Sequence, residues 1–367
     1  MSRFIVYDAE RERVGMLQNA DSIQWLESYQ SPGEIKIDAQ VTAENLAMLI
    51  DGNRIYNFDT DTVARICHVD IVETETEQLI IARADITSQL FDDRVVMATE
   101  NVTDVEAGMY EIYANNRRNL PIELSPALGY TERTEMQITW NSVLDALQRL
   151  AEISGLGFKV LFDPETGVET LKVYKGVDRS VDGSPEYPGY FSTDVGNIQN
   201  VAIAAGSSGY KNVAVVAGAG EGADRTIRIV SLGPLYGENR REMFVDARDL
   251  QREYQVSTPT GEEDEEGNPT YSNETRQYTE EEYNAILDTR GLEKLAENLR
   301  TFAITCDVTQ TNMWYGTDYN LGDRMAVKLP EFGINATARI SSVTMIYEAG
   351  GNRIVATLSD FELEESQ

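Results

Sequence analysis

Glu34-Ile35-Lys36-Ile37-Asp38-Ala39 alternates charged and apolar side chains through three full periods. Successive side chains of a strand point to opposite faces, so Ile35, Ile37 and Ala39 belong against a core and Glu34, Lys36 and Asp38 belong in water. The same half-buried reading extends through the first hundred residues. Segments 3–7, 14–17, 22–25, 64–72 and 78–84 are further short strands, separated by turn material such as Ser31-Pro32-Gly33 and Asp51-Gly52-Asn53. One helix interrupts them, capped by Thr42, with Leu46, Leu49 and Ile50 on one face. Short strands at this spacing predict a small barrel or sandwich over residues 1–98.

From residue 99 the period changes. Thr103 and Glu106 are spaced as a capping box ahead of Val105, Met109 and Ile112. Thr139 is placed to cap a second helix with the stripe Val143, Leu144, Leu147, Leu150 and Ala151, ended by Gly155. A hairpin follows, in which Phe158, Val160 and Phe162 alternate before Asp163-Pro164-Glu165-Thr166-Gly167, with Leu171 and Val173 beyond it. Residues 99–190 therefore read as a mixed α+β middle domain. Strand signals return at 201–204, 213–216 and 226–230, and resume at 303–308, 325–329, 336–347 and 353–359. Between them, Glu262-Glu263-Asp264-Glu265-Glu266 lies among Gly, Pro, Ser and Asn and reads as a mobile, solvated loop. The capping box of Thr279 and Glu282 then opens a helix able to bury Tyr283, Ile286, Leu287, Leu292, Leu295 and Leu299. The pattern predicts a second β domain built from 191–256 and 303–367, carrying 257–302 as an insertion. The fold class is α+β and β-rich.

At 367 residues the chain exceeds what one hydrophobic core usually organises, which agrees with several domains. Apolar residues at 41% and charged residues at 25% describe a globular chain, and no apolar run approaches the roughly 20 residues of a membrane-spanning helix. The first residues lack the long apolar stretch of a signal peptide, so synthesis and folding in a cytoplasm are expected. Against 31 basic residues stand 62 acidic ones, a net charge of −31 that repels nucleic acid and argues against stable binding to it. Cys67 and Cys306, the only cysteines, both sit in apolar runs and read as buried reduced thiols.

Reactive motifs are missing. His68 is the only histidine, so no multi-histidine metal site can form. Gly218-Ala219-Gly220-Glu221-Gly222 has the wrong spacing for a phosphate loop, precedes a strand and would aim Glu221 at the phosphate; it reads as a turn or bulge. Asp59 to Asp61 and the Glu262 run lack the spacing of a calcium loop. Trp25, Trp140, Trp314 and 18 tyrosines are ordinary for this length and make no sugar platform by number alone. No catalytic, cofactor-binding or metal-binding residue is assigned, and no cofactor is expected.

Segment order supplies what motifs do not. Val6-Tyr7-Asp8 to Val14-Gly15, Ser31-Pro32-Gly33-Glu34-Ile35 and 46–55 open the pattern, followed by Asn141-Ser142-Val143-Leu144-Asp145-Ala146-Leu147 and Val173-Tyr174-Lys175-Gly176-Val177-Asp178-Arg179. It continues through Tyr210-Lys211-Asn212-Val213, Arg240-Arg241-Glu242-Met243-Phe244-Val245-Asp246, Arg290-Gly291-Leu292-Glu293-Lys294-Leu295-Ala296 and Tyr319-Asn320-Leu321-Gly322-Asp323. In this order the chain resembles siphophage tail hub proteins of phages from Gram-positive hosts and of phage-derived tail particles. The resemblance implies a baseplate-hub-like fold with two tube-type β-barrel domains and intervening mixed domains. It also implies a non-enzymatic homotrimer at the tail tip that adapts the sixfold tube and surrounds the exit channel. Implied partners are distal tail and tube proteins, the tape measure protein, and tip, spike or fibre proteins, in a virion or tail particle assembled in the bacterial cytoplasm. With the chain ending at Glu362-Leu363-Glu364-Glu365-Ser366-Gln367, the C-terminal hydrolase or fibre domains of longer relatives are not expected here. A cell-wall hydrolase or receptor-binding tip protein, and a distal tail or tube subunit, are the alternative readings. A net negative lumen is expected.

Overall fold

The computed structural model describes residues 3–73, 78–183, 188–233, 236–263, 269–310 and 313–363. Met1 and Ser2, residues 264–266 of the acidic run and the terminal residues 364–367 lie outside them. The alternating strand Glu34–Gln40 sits inside an antiparallel sheet, with Ile35, Ile37 and Ala39 buried as its period requires. Eight strands follow one another in space: Ile198–Gly206, Thr301–Val308, Gly351–Leu363, Ile334–Glu348, Ala20–Ser28, Glu34–Gln40, Gln78–Ile86 and Thr62–Glu73. Four come from the first hundred residues and four from the second strand-rich region. They meet where Ser22–Ser28 pairs with residues 342–348.

Among the described residues no sheet closes into a barrel. The two regions read as separate barrels lie edge to edge over a common core. Ile23, Trp25, Ile37, Ile80, Ala82 and Ile66 from one side share a cluster with Ile304, Cys306, Val343, Ala356 and Leu358 from the other. Phe4 and Val6 of the strand Phe4–Tyr7, together with Phe191, Tyr319, Met325 and Val327, cover that buried face. Alternation specifies which side chains face inward but not which strand lies alongside, so this pairing has no local signal.

The helices follow their apolar residues, with altered caps. Helix α1, Ala43–Met48, is capped by the Thr42 hydroxyl, which accepts from the Asn45 amide at 3.1 Å. It stops after six residues, so of the predicted face only Leu49 is buried; Leu46 and Ile50 are exposed, and Asn45 and Met48 are buried in their place. Helix α2, Val105–Asn116, is capped by Asp104, not Thr103. Its Glu106 turns inward and accepts the amides of Leu128, Gly129 and Tyr130 at 2.6, 2.8 and 2.8 Å, which removes it from any capping box. Helix α3, Val143–Ser154, is capped by Ser142, because the chain still turns at Trp140 (φ 59°); Gly155 at φ 71° ends it as expected. Helices α2 and α3 enclose a second core with Phe158, Val160, Leu171 and Val173 of the hairpin Gly157–Asp163 and Val168–Tyr174.

The segment read as a solvated acidic loop is largely a β-hairpin, Glu253–Glu263 against Pro269–Gln277. Val256, Thr258, Tyr271 and Thr275 supply strand propensity that the flanking acids obscure. Helix α4, Glu280–Ala296, has both bonds of the Thr279 and Glu282 capping box. It buries Tyr283, Ile286, Leu287 and Leu295 against one face of a small sheet made of Val213–Ala217, Ile227–Ser231 and Glu242–Asp246, while Leu292 and Leu299 are exposed. Gly218–Gly222 is a turn, with Gly220 and Gly222 at φ 113° and 54°.

Candidate assembly interface

The side chains able to do chemistry are scattered. His68 is exposed and touches Asp70 at 3.0 Å. Cys306 is buried as expected, but Cys67 is exposed, because Ile66 faces the core and alternation points its successor to the solvent face. Burial, reinforced by the carboxylate of Asp85, pushes the Cys67 thiol up to about 11, away from the reactive range. Among the described residues no group of three or more His, Cys, Asp or Glu side chains is arranged to hold a metal ion, and no helix is long and apolar enough to cross a membrane.

Charge is instead spent on joining regions. Glu169, almost fully buried, accepts from Arg11 and lies 3.7 Å from Arg54, tying the Val168–Tyr174 strand to the first strands. Buried Glu293 on α4 accepts from Arg149 on α3 at 2.9 Å and sits 3.5 Å from Arg290. Two sequence segments about 146 residues apart interlock at Asp323. Its Oδ1 accepts the Val177 amide at 2.7 Å, and its Oδ2 accepts Arg179 Nε at 2.5 Å and the Asn320 amide at 2.9 Å. Gly176 lies directly on the Gly322 carbonyl: a Cβ there would stand 1.9 Å from that oxygen. Tyr29 is wedged between Gly157 and Gly322; its hydroxyl donates to the Gly155 carbonyl at 3.0 Å and accepts from the Gly176 amide at 3.1 Å. The segments 173–179 and 319–323 are thus two halves of one joint.

These eight strands belong to a sixteen-stranded sheet that continues from Thr62 into the hairpin strand Gly157–Asp163, and they leave one face and two edge segments in water. Cross-strand register arranges the exposed face in rows. One carries Arg353, Gln24, Lys36, Arg83 and His68; its neighbours carry Glu348, Asp38 and Asp70 on one side and Glu34, Asp85 and Arg65 on the other. The face is banded, with a basic row between two largely acidic ones. At one end of the sheet, Ile198–Gly206 pairs only with Thr301–Val308. At the other, residues 68–73 pair only with Gln78–Ile86 on one side, leaving Ile71 61% exposed and Val72 39% exposed. Lys and Pro, the usual blunting residues, are missing from both edges.

Comparisons with known proteins agree on the fold. The Siphovirus ReqiPepy6 Gp37-like protein family matches residues 3–358. The structure of a tail protein from Neisseria meningitidis MC58 aligns with a TM-score of 0.57 at 13% identity, over 98% of this chain and 96% of that one. The 43 kDa tail protein of prophage MuSo2 from Shewanella oneidensis gives 0.57 at 10% identity, over 97% and 98%. Prophage tail protein gp18 from Listeria monocytogenes EGD-e gives 0.52 at 12% identity, over 100% and 96%. A search of curated protein sequences finds no match.

Proposed function

The chain belongs to the Siphovirus ReqiPepy6 Gp37-like family of phage tail proteins, and from that premise we propose that it is a structural hub subunit at the tail tip. Three copies form a ring that adapts the sixfold tube and surrounds the exit channel. The observation that carries this reading is a run of eight antiparallel strands within a sixteen-stranded sheet, in which, among the described residues, 198–206 and 68–73 are each paired on one side only. Two different edges on one chain favour a heterologous, head-to-tail contact, and such contacts close into rings. Residues 198–206 of one copy would add to residues 68–73 of the next, as an extended strand adds to any open sheet edge.

Three copies of eight strands make about 24, and at about 4.8 Å per strand the circumference is roughly 115 Å before tilt. Barrels of about 16 to 18 strands already leave an aqueous channel, so a ring of this size is open. The four strands from each region give two quasi-equivalent units per copy and six per ring, which fits the two tube-type domains expected over 1–98 and over 191–256 with 303–367. The middle domain 99–190 and the insertion 257–302 then lie between and around them. Neighbouring chains would be distal tail or tube proteins above, tip, spike or fibre proteins below, and the tape measure protein within. The exposed face becomes the lumen wall, and its banding makes the wall a set of alternating charged rings, not the uniformly negative surface that net charge suggests.

The test is the mass of the full chain by analytical ultracentrifugation. Wild type is expected as a trimer, and the double variant Ile71→Lys, Val72→Lys as a folded monomer, because charge blunts the edge. A wild type that stays monomeric at assembly concentrations, or a ring that survives both substitutions, overturns the reading.

A further inference from the structure

A cavity of about 310 Å³ lies beside the Asp323 joint, lined by Glu27, Ser31, Lys159, Lys172, Tyr174 and Tyr315 among others. Lys159 and Lys172 are directly opposed partners on the hairpin Gly157–Asp163 and Val168–Tyr174, and both face this space. Like charges directly opposite each other across a strand pair are destabilising. Neither ammonium has a carboxylate oxygen within 4.0 Å among the described residues, in a chain with twice as many acids as bases.

Of the other charges around the cavity, Asp323 and Lys175 are committed elsewhere, while the Glu27 carboxylate favours the charged form of Lys159 and offsets part of the lysine pair's charge. Glu27 accepts the Trp25 indole N–H at 3.0 Å and the Thr62 hydroxyl at 2.6 Å. Asp323 is taken by Arg179 and two amides, and Lys175 by Glu132 at 2.6 Å. Lys159 instead lies over the Tyr174 ring, 5.0 Å from its centre. The Tyr174 hydroxyl, also buried, has no hydrogen-bond partner among the described residues. Two opposed lysines only partly offset by Glu27, with the Tyr174 hydroxyl beside the same cavity, are the complement of an oxyanion with an apolar or aromatic body.

We propose that this cavity is an anion site that takes a small carboxylate- or phosphate-bearing ligand, held between Lys159 and Lys172 and hydrogen-bonded by the Tyr174 hydroxyl. Its volume is at the lower end of small-molecule sites, suited to a compact ligand. Burial already holds the Lys159 ammonium below its usual range, and a bound anion reverses that pressure. Because the cavity is walled by the first strands, the middle hairpin and the 315–323 segment, occupancy locks three regions together. The site does not depend on whether the chain forms a ring.

The probes are inorganic phosphate and acetate, titrated into the full chain at constant ionic strength with chloride as reference. Binding is read by isothermal titration calorimetry and by the thermal midpoint. Wild type is expected to give a saturable heat and a rising midpoint with at least one of the two probes, and their relative strength separates phosphate from carboxylate preference. Lys172→Met is expected to raise the midpoint of the ligand-free protein by relieving repulsion, and to weaken the anion response at least tenfold. Lys175→Met, which removes a lysine already held by Glu132, is expected to keep that response within about twofold. If neither probe differs from chloride in the wild type, the proposal fails whatever the variants do. An unchanged response in Lys172→Met likewise removes the assignment.

Discussion

Replacing Gly322 by alanine tests the joint that holds the sheet to the middle region. Gly322 has φ 92°, and a Cβ built there would lie 2.2 Å from Tyr29 Cε2, with two more ring carbons within 2.9 Å. Neither side can yield easily. The Tyr29 ring is fully buried, its hydroxyl is fixed by Gly155 and Gly176, and the Gly322 amide donates to the Ile340 carbonyl at 2.8 Å. The left-handed backbone alone costs an alanine about 1 to 2 kcal/mol. Forcing an extra carbon into a packed site adds about 1 to 3 kcal/mol. Gly322→Ala should therefore lose about 2 to 5 kcal/mol. Gly52 is the matched control: φ 91° and no atom within 4 Å of its Cβ position, so Gly52→Ala should lose only the backbone part. The assay is the urea midpoint of each variant. Adding Tyr29→Ala to Gly322→Ala should show a favourable coupling of at least about 1 kcal/mol, because the obstacle is gone. If Gly322→Ala and Gly52→Ala agree within about 0.5 kcal/mol, the ring is not a fixed wall and the joint is softer than argued.

Two further expectations follow from buried groups. Glu293→Gln leaves Arg149, where α3 meets α4, with only Asp145 at 3.6 Å as a counter-charge, and should cost about 3 kcal/mol by chemical denaturation, whereas Arg149→Met with Glu293→Met should recover much of that loss. Cys67 is exposed, yet its thiol is pushed up to about 11, while burial pushes that of Cys306 up to about 12. Iodoacetamide followed by mass spectrometry should modify Cys67 slowly at pH 8, where only about one thiol in a thousand is ionised. The rate should rise about tenfold per pH unit towards pH 11, and Asp85→Asn should speed it. Cys306 should react only on unfolding, and rapid labelling of Cys67 at pH 7 would contradict the assigned environment.

What the sequence made legible was local. The strands 34–39, 78–84, 158–162 and 171–173 were marked by two-residue periodicity, and Thr42, Gly155 and the Thr279 box by cap chemistry that acts within four residues. The caps at Thr103 and Thr139 misled for the same reason: a competing Asp104 or Ser142 lies one to three residues away, and only the direction of the entering chain decides between them. The acidic hairpin is hidden in the sequence because the dense Glu and Asp around 262–266 mask the β-branched residues of its strands. The candidate anion site was not legible at all. Lys159 and Lys172 are unremarkable in order along the chain, and face each other only once the 163–167 turn sets the register.

The edge-to-edge union of the two strand-rich regions is the same limitation on a larger scale, and it bears on how the chain would assemble. Ala20–Ser28 and Ile334–Glu348 join inside one molecule through an antiparallel pairing, Ser22 to Glu348 through Ser28 to Ser342. The proposed contact between copies, residues 198–206 to residues 68–73, repeats that kind of junction with strands from the opposite ends of the same sheet. If a ring of three forms, junctions within and between chains alternate around it, and each joins a four-stranded unit of one kind to a four-stranded unit of the other. The internal junction has no loop-closure or association cost left to meet once the chain has folded, whereas the external one must overcome the loss of translational freedom on binding. The exposed Ile71 and Val72 at the external edge supply apolar area for that purpose. Blunting them should therefore separate the copies while leaving the internal pairing, and the fold of each chain, intact.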